Sequence, residues 1–219
     1  MDKREAIKIV ENCAKQYESE LNGRSLLIIY LECGTKANYL ELVFRDEQFM
    51  HLTGLKSHGL LSAKRFYQKC LNNKLQANEF DFSPDGTSEI KLKTLPYILC
   101  KNLHANAVGD FNGSTIKLVT DKIVGNQRAF MGFINIYKDY FIPNTLIKGD
   151  IRDYAQKTNR IIAVFRKFQN DPAYNEITYV AKNIDWDKVV FSEACNYLLL
   201  QIKESEAHTQ LIGKKLISK

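Results

Sequence analysis

The nine residues from Ser25 to Cys33 (SLLIIYLEC) constrain the fold of this chain most. They are dense in large aliphatic side chains and too short for a self-sufficient helix, so they read as a buried strand. Gly34, Thr35, Lys36 and Asn38 supply a hairpin connection, and Tyr39 to Phe44 read as the second strand. Ahead of the hairpin, Ile7, Val10, Cys13, Ala14, Tyr17 and Leu21 recur at three-to-four spacing. That spacing predicts a helix over 3–21, stopped by Asn22-Gly23. Phe49 to Leu52 continue the apolar character of the second strand after Arg45-Asp46-Glu47, so His51 is expected at a strand edge.

Further along, Ser62 to Leu75 has a helical pattern, with Ala63, Phe66, Tyr67, Cys70 and Leu71 on one side. Pro84-Asp85-Gly86-Thr87 is a turn, after which Thr87 or Ser88 is placed to cap a helix carrying Ile90, Leu92, Leu95 and Ile98. Pro96 is expected to kink that helix or end its first segment. From Ala105 the pattern changes to short strand-like segments: 107–111, 116–120, 129–134, 140–143, 160–166 and 177–181. Pro143 would end one of these, with Asn144 or Thr145 capping a helical insert over 147–157. Phe191 to Ile202 reads as a last helix. Helices early and a largely antiparallel sheet late make this an α+β chain: N-terminal helices packed on a mainly antiparallel β-sheet, with a C-terminal helix, in a single domain over 1–219. There is no internal repeat and no Gly-rich phosphate loop, so Rossmann and P-loop folds drop out.

Composition narrows the chemistry. At 219 residues the chain can bury a real core. No apolar run approaches the roughly 20 residues that span a bilayer, and the start Met1-Asp2-Lys3-Arg4 leads into an amphipathic helix, so a cytoplasmic protein with no membrane partner is expected. The five cysteines (13, 33, 70, 100, 195) are scattered without a Cys-x-x-Cys pair, which implies reduced, mostly buried thiols. No metal site and no cofactor are expected, because paired ligands are missing. A net charge of +6 suits a polyanionic partner, since phosphate contacts by Lys and Arg release counterions. Many soluble proteins carry such a charge without binding nucleic acid.

The run Phe49-Met50-His51-Leu52-Thr53-Gly54 holds the strongest candidate, His51, which exchanges a proton near neutral pH. Thr53 offers a hydroxyl, and Gly54 permits a turn that would expose both. A satisfied, half-buried histidine and a turn-capping threonine are the competing readings. Metal-free RNA cleavage needs a base, an acid, and cations or amides at the phosphorane. Arg128, where a loop enters an apolar strand, has the guanidinium for bidentate phosphate contact, or for an ion pair with Asp110 or Asp121. Lys122 is either a partner in that role or a solvated loop lysine. Asn144, Thr145 and Lys148 would bind substrate if the amides of a helix start there receive an anion; plain N-capping is the alternative. Tyr137, Tyr140 and Tyr154 are of the type that stacks bases, although core packing is as common for them. His58 and His104 read as loop residues, and His208 belongs to a polar tail.

Met50-His51-Leu52-Thr53-Gly54, followed by Ala63-Lys64-Arg65-Phe66-Tyr67, resembles the opening of the phage-associated barnase–EndoU–colicin–RelE-like (BECR-type) nuclease families. Gly109-Asp110-Phe111-Asn112, Thr120-Asp121-Lys122, Gly125-Asn126 with Arg128, and Pro143-Asn144-Thr145 resemble their later blocks. The resemblance covers about residues 40–182, with helices flanking it. It implies helices on an antiparallel sheet and a metal-independent endoribonuclease, a toxin or effector of a phage or mobile element. RNA (tRNA included) would be the substrate, and a cognate immunity or antitoxin protein a partner. On that resemblance His51 and Arg128 are the foremost catalytic residues, with Lys122 and Asn144 behind them. The late blocks lack the second histidine that some relatives carry. The alternative is a non-catalytic nucleic-acid-binding or host-factor-inhibiting protein of a mobile element.

Overall fold

The computed structural model describes residues 1–59, 61–113, 118–136, 140–191 and 193–204. Helix α1 (Lys3–Glu20) starts where the Asp2 carboxylate accepts the Glu5 N–H at 2.8 Å. It ends at Gly23, whose φ of +69° is left-handed. Ala6, Val10, Cys13, Ala14 and Tyr17 form its buried stripe, as their spacing predicts. Strands β1 (Arg24–Cys33) and β2 (Lys36–Phe44) make the expected hairpin.

The next segment departs from expectation. Phe49–Thr53 is a one-turn helix, α2, and not the edge of a strand. Phe49 and Leu52, three apart, both bury, which a helical turn allows and a strand would not. Strand β3 (Leu55–Ser57) pairs with β4 (Phe80–Phe82) in a small separate sheet, with helix α3 (Ala63–Leu71) between them. Ser62 caps α3 by accepting the Arg65 N–H. Helix α4 (Thr87–Ile98) runs through Pro96 without stopping there. The proline falls in the last turn, and the Gln16 side chain of α1 donates to the Pro96 and Leu99 carbonyls.

Strands β5 (Ala107–Phe111), β6 (Lys122–Gly125), β7 (Ala129–Ile134), β8 (Ile142–Lys148), β9 (Ala155–Phe168) and β10 (Glu176–Val180) complete the main sheet. Its order is β2-β1-β9-β5-β6-β7-β8, with β10 beside the second half of β9, and every strand pairing is antiparallel. A bridge from Leu42 to Phe141 brings the two outer strands together, with the Val43 N–H donating to the Phe141 carbonyl at 2.9 Å. The sheet thus curls almost onto itself.

Three local expectations fail here. Lys122 lies in strand β6, not in a loop. Residues 118–120 form no strand, and 116–117 lie outside the described residues, as do Tyr137, His208 and the tail beyond 204. Residues 147–157 are not a helical insert. Lys148 ends β8, a single 3-10 turn at Ile151–Asp153 follows, and Ala155 already pairs with Phe111 of β5. Ladder pairing on both sides of this short turn outweighs its weak helical spacing. The C-terminal segment forms a 3-10 turn at Glu193–Cys195 and continues helically over 196–204. Cys13, Cys70 and Cys195 are buried, and burial pushes the Cys13 thiol up to about 12.

Candidate functional site

Helix α2 places His51. Phe49 packs into an aromatic cluster, its ring 5.3 Å from Tyr17 and 5.1 Å from Tyr67. With Phe49 and Leu52 fixed inward, His51 is left exposed between them. Gly54 then reverses the chain at φ +69°. A Cβ on Gly54 would sit 2.8 Å from Lys91 Cδ and 3.3 Å from Ser88 Cα, so the close approach of α2 to α4 requires glycine here. Thr53 is fully buried. Its hydroxyl donates to the Met50 carbonyl at 2.7 Å and accepts the Leu55 N–H at 3.1 Å. Thr53 therefore clasps the turn and does not face the cleft.

The start of α4 forms the second wall. Gly86, with φ +75°, precedes the helix, and neither Thr87 nor Ser88 acts as its cap. Instead Asp85 accepts from the Thr87 N–H at 3.0 Å and from its hydroxyl at 2.7 Å. Ser88 donates to the Gly54 carbonyl at 2.6 Å and accepts the Ser83 N–H at 2.7 Å, tying α4 to α2 and β4. One turn on, the Lys91 ammonium donates to the Thr145 hydroxyl of β8 at 3.1 Å. Desolvation by burial pulls Lys91 below the usual lysine range, with the charge of Asp85 opposing the shift.

Strand β8 forms the third wall and corrects an expectation. Asn144 and Thr145 lie inside a strand and cap no helix, so no helix-start amides are available for an anion. Pro143 is accommodated where the β7–β8 register shifts between Gly132 and Phe133, on a strand with little demand for its missing N–H. Thr145 is buried opposite Gly132, where an added Cβ would meet Thr145 Cγ2 at 2.7 Å. Asn144 donates from its amide to the Val119 carbonyl at 2.5 Å and accepts the Thr120 hydroxyl at 3.2 Å.

These walls enclose one cleft, shared by His51, Lys91, Asp85, Thr87, Asn144 and Thr145. Lys148 lies at the far end of the adjoining hollow, which begins at Lys91 and Thr145. Four of the seven residues singled out from sequence (His51, Asn144, Thr145 and Lys148) thus line one continuous depression. Arg128 and Lys122 do not join His51. Lys122 is paired with Asp110 at 2.6 Å. Arg128 is exposed on the β6–β7 turn, in a pocket with Tyr97 and His104. Neither proposed acidic partner holds it, since Asp110 binds Lys122 and Asp121 accepts the Asn135 N–H. Lys91 went unnoticed in the sequence because SEIKLKTL reads as an ordinary amphipathic helix. Only the Asp85-Gly86-Thr87 turn marked the vicinity. Among the described residues, no group of three or more His, Cys, Asp or Glu side chains is arranged to hold a metal ion, and no helix is long and apolar enough to cross a membrane.

The family model for the phage-Barnase-EndoU-ColicinE5/D-RelE like nuclease 4 (PBECR4) matches residues 9–183. No curated protein and no solved structure matches the chain. The matched span starts within α1 and ends just past β10. The chain belongs to this BECR-type nuclease family.

Proposed function

We propose that this member of the PBECR4 nuclease family is a metal-independent endoribonuclease whose reacting phosphodiester lies in the α2–α4–β8 cleft. The observation that carries the reading is the meeting of an exposed histidine, His51, with a partly desolvated lysine, Lys91, in one depression. His51 removes the proton of the 2′-hydroxyl, whose oxygen attacks phosphorus. The bond from phosphorus to the 5′-oxygen breaks, and Lys91 delivers a proton to that leaving oxygen. The products are a 2′,3′-cyclic phosphate and a 5′-hydroxyl end. Before it gives up its proton, the ammonium also offsets the charge that accumulates on the phosphorane. The lowered proton affinity of Lys91 suits this transfer, and the Thr145 hydroxyl holds its Nζ in place. Asn144 and Lys148 position the phosphate, while Arg128 acts outside the reacting centre. An antitoxin or immunity protein would act by covering this cleft.

Incubation with total RNA and tRNA in excess EDTA tests the reading. Wild-type protein is expected to leave cyclic phosphate ends, and His51→Ala to lower the rate about 10²–10⁴-fold, the usual contribution of a proton-transferring side chain. Lys91→Met is expected to fall in the same range. Full cleavage by a folded His51→Ala protein sinks the assignment. Salt-sensitive RNA binding with no cleavage by the wild type makes the chain a binding protein instead.

A further inference from the structure

The reacting cleft does not end at Lys91. Ile90, Thr94 and Tyr97, at three- and four-residue spacing, form one stripe of helix α4 that lines successive hollows. Three hollows follow this stripe in order. The first holds Lys91 and Thr145, the second Ile90, Thr94 and Lys148, and the third Tyr97, His104 and Arg128. From Lys91 to Tyr97 the helix advances about 9 Å at its usual rise. Strand β8 runs alongside, and the Gly149 N–H just past its end donates to the Arg128 carbonyl at 2.9 Å. Lys148 and Arg128 are exposed, and among the described residues neither forms an ion pair. Two acids lie along this wall: Glu89 is paired with Lys93 and with the Met1 ammonium, and Asp85 accepts from the Thr87 N–H and hydroxyl. Ile90 is half exposed between the lysines, an apolar surface of the kind that ligands cover.

The far end is built for a flat ring. His104 lies parallel on Tyr97, with centroids 4.8 Å apart and planes 18° apart. Tyr97 is partly buried against the core and His104 is exposed, so the outer face of the imidazole is open. The shelf is fixed from below. Buried Asn126 donates to the Tyr97 hydroxyl at 3.0 Å and to the His104 carbonyl at 2.8 Å, and accepts the Arg128 N–H at 2.7 Å. His104 holds a left-handed backbone (φ +47°), with its N–H donating to Asn102 at 3.1 Å. Stacking on aromatic rings and phosphate contact by Lys and Arg are how unpaired RNA is held.

We propose that this groove binds single-stranded RNA leading away from the reacting phosphate, with one base stacked on His104 and the backbone between Lys148 and Arg128. The inference rests on the nuclease reading of the adjoining cleft. Its test uses the full-length His51→Ala protein and a fluorescent pentanucleotide, beside a hairpin duplex. The single strand is expected to bind, and His104→Asn, which suits a left-handed backbone, to weaken it about tenfold, as loss of one stacked base does. In the cleaving protein, His104→Asn is expected to lower kcat/KM for the pentanucleotide and to spare a dinucleotide. Equal affinity for the duplex, undiminished binding by a folded His104→Asn protein, or equal loss on both substrates overturns the groove. If the wild type cleaves nothing while single-strand binding still depends on His104, the groove stands and the nuclease reading alone falls.

Discussion

The two faces of β1 lead to different neighbourhoods. Leu26, Ile28 and Tyr30 point into the large core under α1, α3 and α4, which also holds Tyr17, Phe44, Phe49 and Phe133. Leu27 and Ile29 point the other way, into a smaller core closed by Tyr174 of the β9–β10 connection, Trp186 beyond β10 and Leu198 of the C-terminal segment. Strand β9 keeps the two in step with a bulge at Ile162, which puts Ile162 and Ala163 together on the second face while Ile161 and Val164 stay on the first. The first core carries the proposed site. α2 and α4, which supply His51 and Lys91, are rooted in it through Phe49, Leu52, Leu92 and Leu95. The second covers a face with no part in the cleft. A sheet buried on both sides can therefore give one face to the proposed site and leave the other as support.

That division predicts unequal damage. Phe44, whose ring meets Phe133 at 6.0 Å and Tyr17 at 6.4 Å, is fully buried below the cleft. Phe44→Ala is expected to cost about 3–5 kcal/mol, read as a fall in the urea midpoint together with loss of cleavage. Leu198→Ala is expected to cost about 2 kcal/mol, near the lower bound for a buried leucine. Hydrogen exchange should then rise in β10 and the C-terminal segment while cleavage stays within twofold. If Leu198→Ala abolishes cleavage in folded protein, the two faces are coupled and the division is wrong.

Gly54→Ala probes the junction itself. A left-handed alanine costs about 1–2 kcal/mol, and its Cβ would press on Lys91 Cδ. Activity is expected to fall further than this modest loss of stability accounts for. A chain that melts lower but keeps full kcat shows that Lys91 moves aside without consequence.

The smallest expected effect lies on the rim. Asp81 accepts from Lys3 at 2.7 Å and pairs with His58 Nε2 at 2.5 Å. Hydrogen bonds from Lys3 first, then His58, hold its carboxyl below the usual 3.8. A depressed acid contributes stability that is complete above its unfolded value and is lost as pH falls through the folded one. Asp81→Asn should therefore lower Tm slightly at neutral pH, with the gap to wild type closing as pH falls below the usual carboxylate value of 3.8. A gap that persists in acid assigns the effect to packing.

Much of the framework was legible in the chain. The stripe of α1, the β1–β2 hairpin and the strands at 107–111, 129–134 and 177–181 follow from periodicity and turn residues that act over a few neighbours. His51 stood out for the same reason, as a titratable group in an apolar run closed by glycine. The segment 142–157 was misread, because Asn144 and Thr145 resemble a helix start until β7 and β5 are present to pair with the strands on either side.

The sequence by itself determined an α+β chain with a histidine at a turn, since local spacing and backbone preference need no distant partner. Only the tertiary structure decided which residues keep His51 company. Lys91 is forty residues away and Thr145 still further. They reach the same cleft because Gly54 lets α4 close on α2, and because burial of Phe49 and Leu52 fixes that contact. The same folding sent Arg128 to the opposite end of the groove. Strand length and register set that distance, and neither can be read from the residues around Arg128.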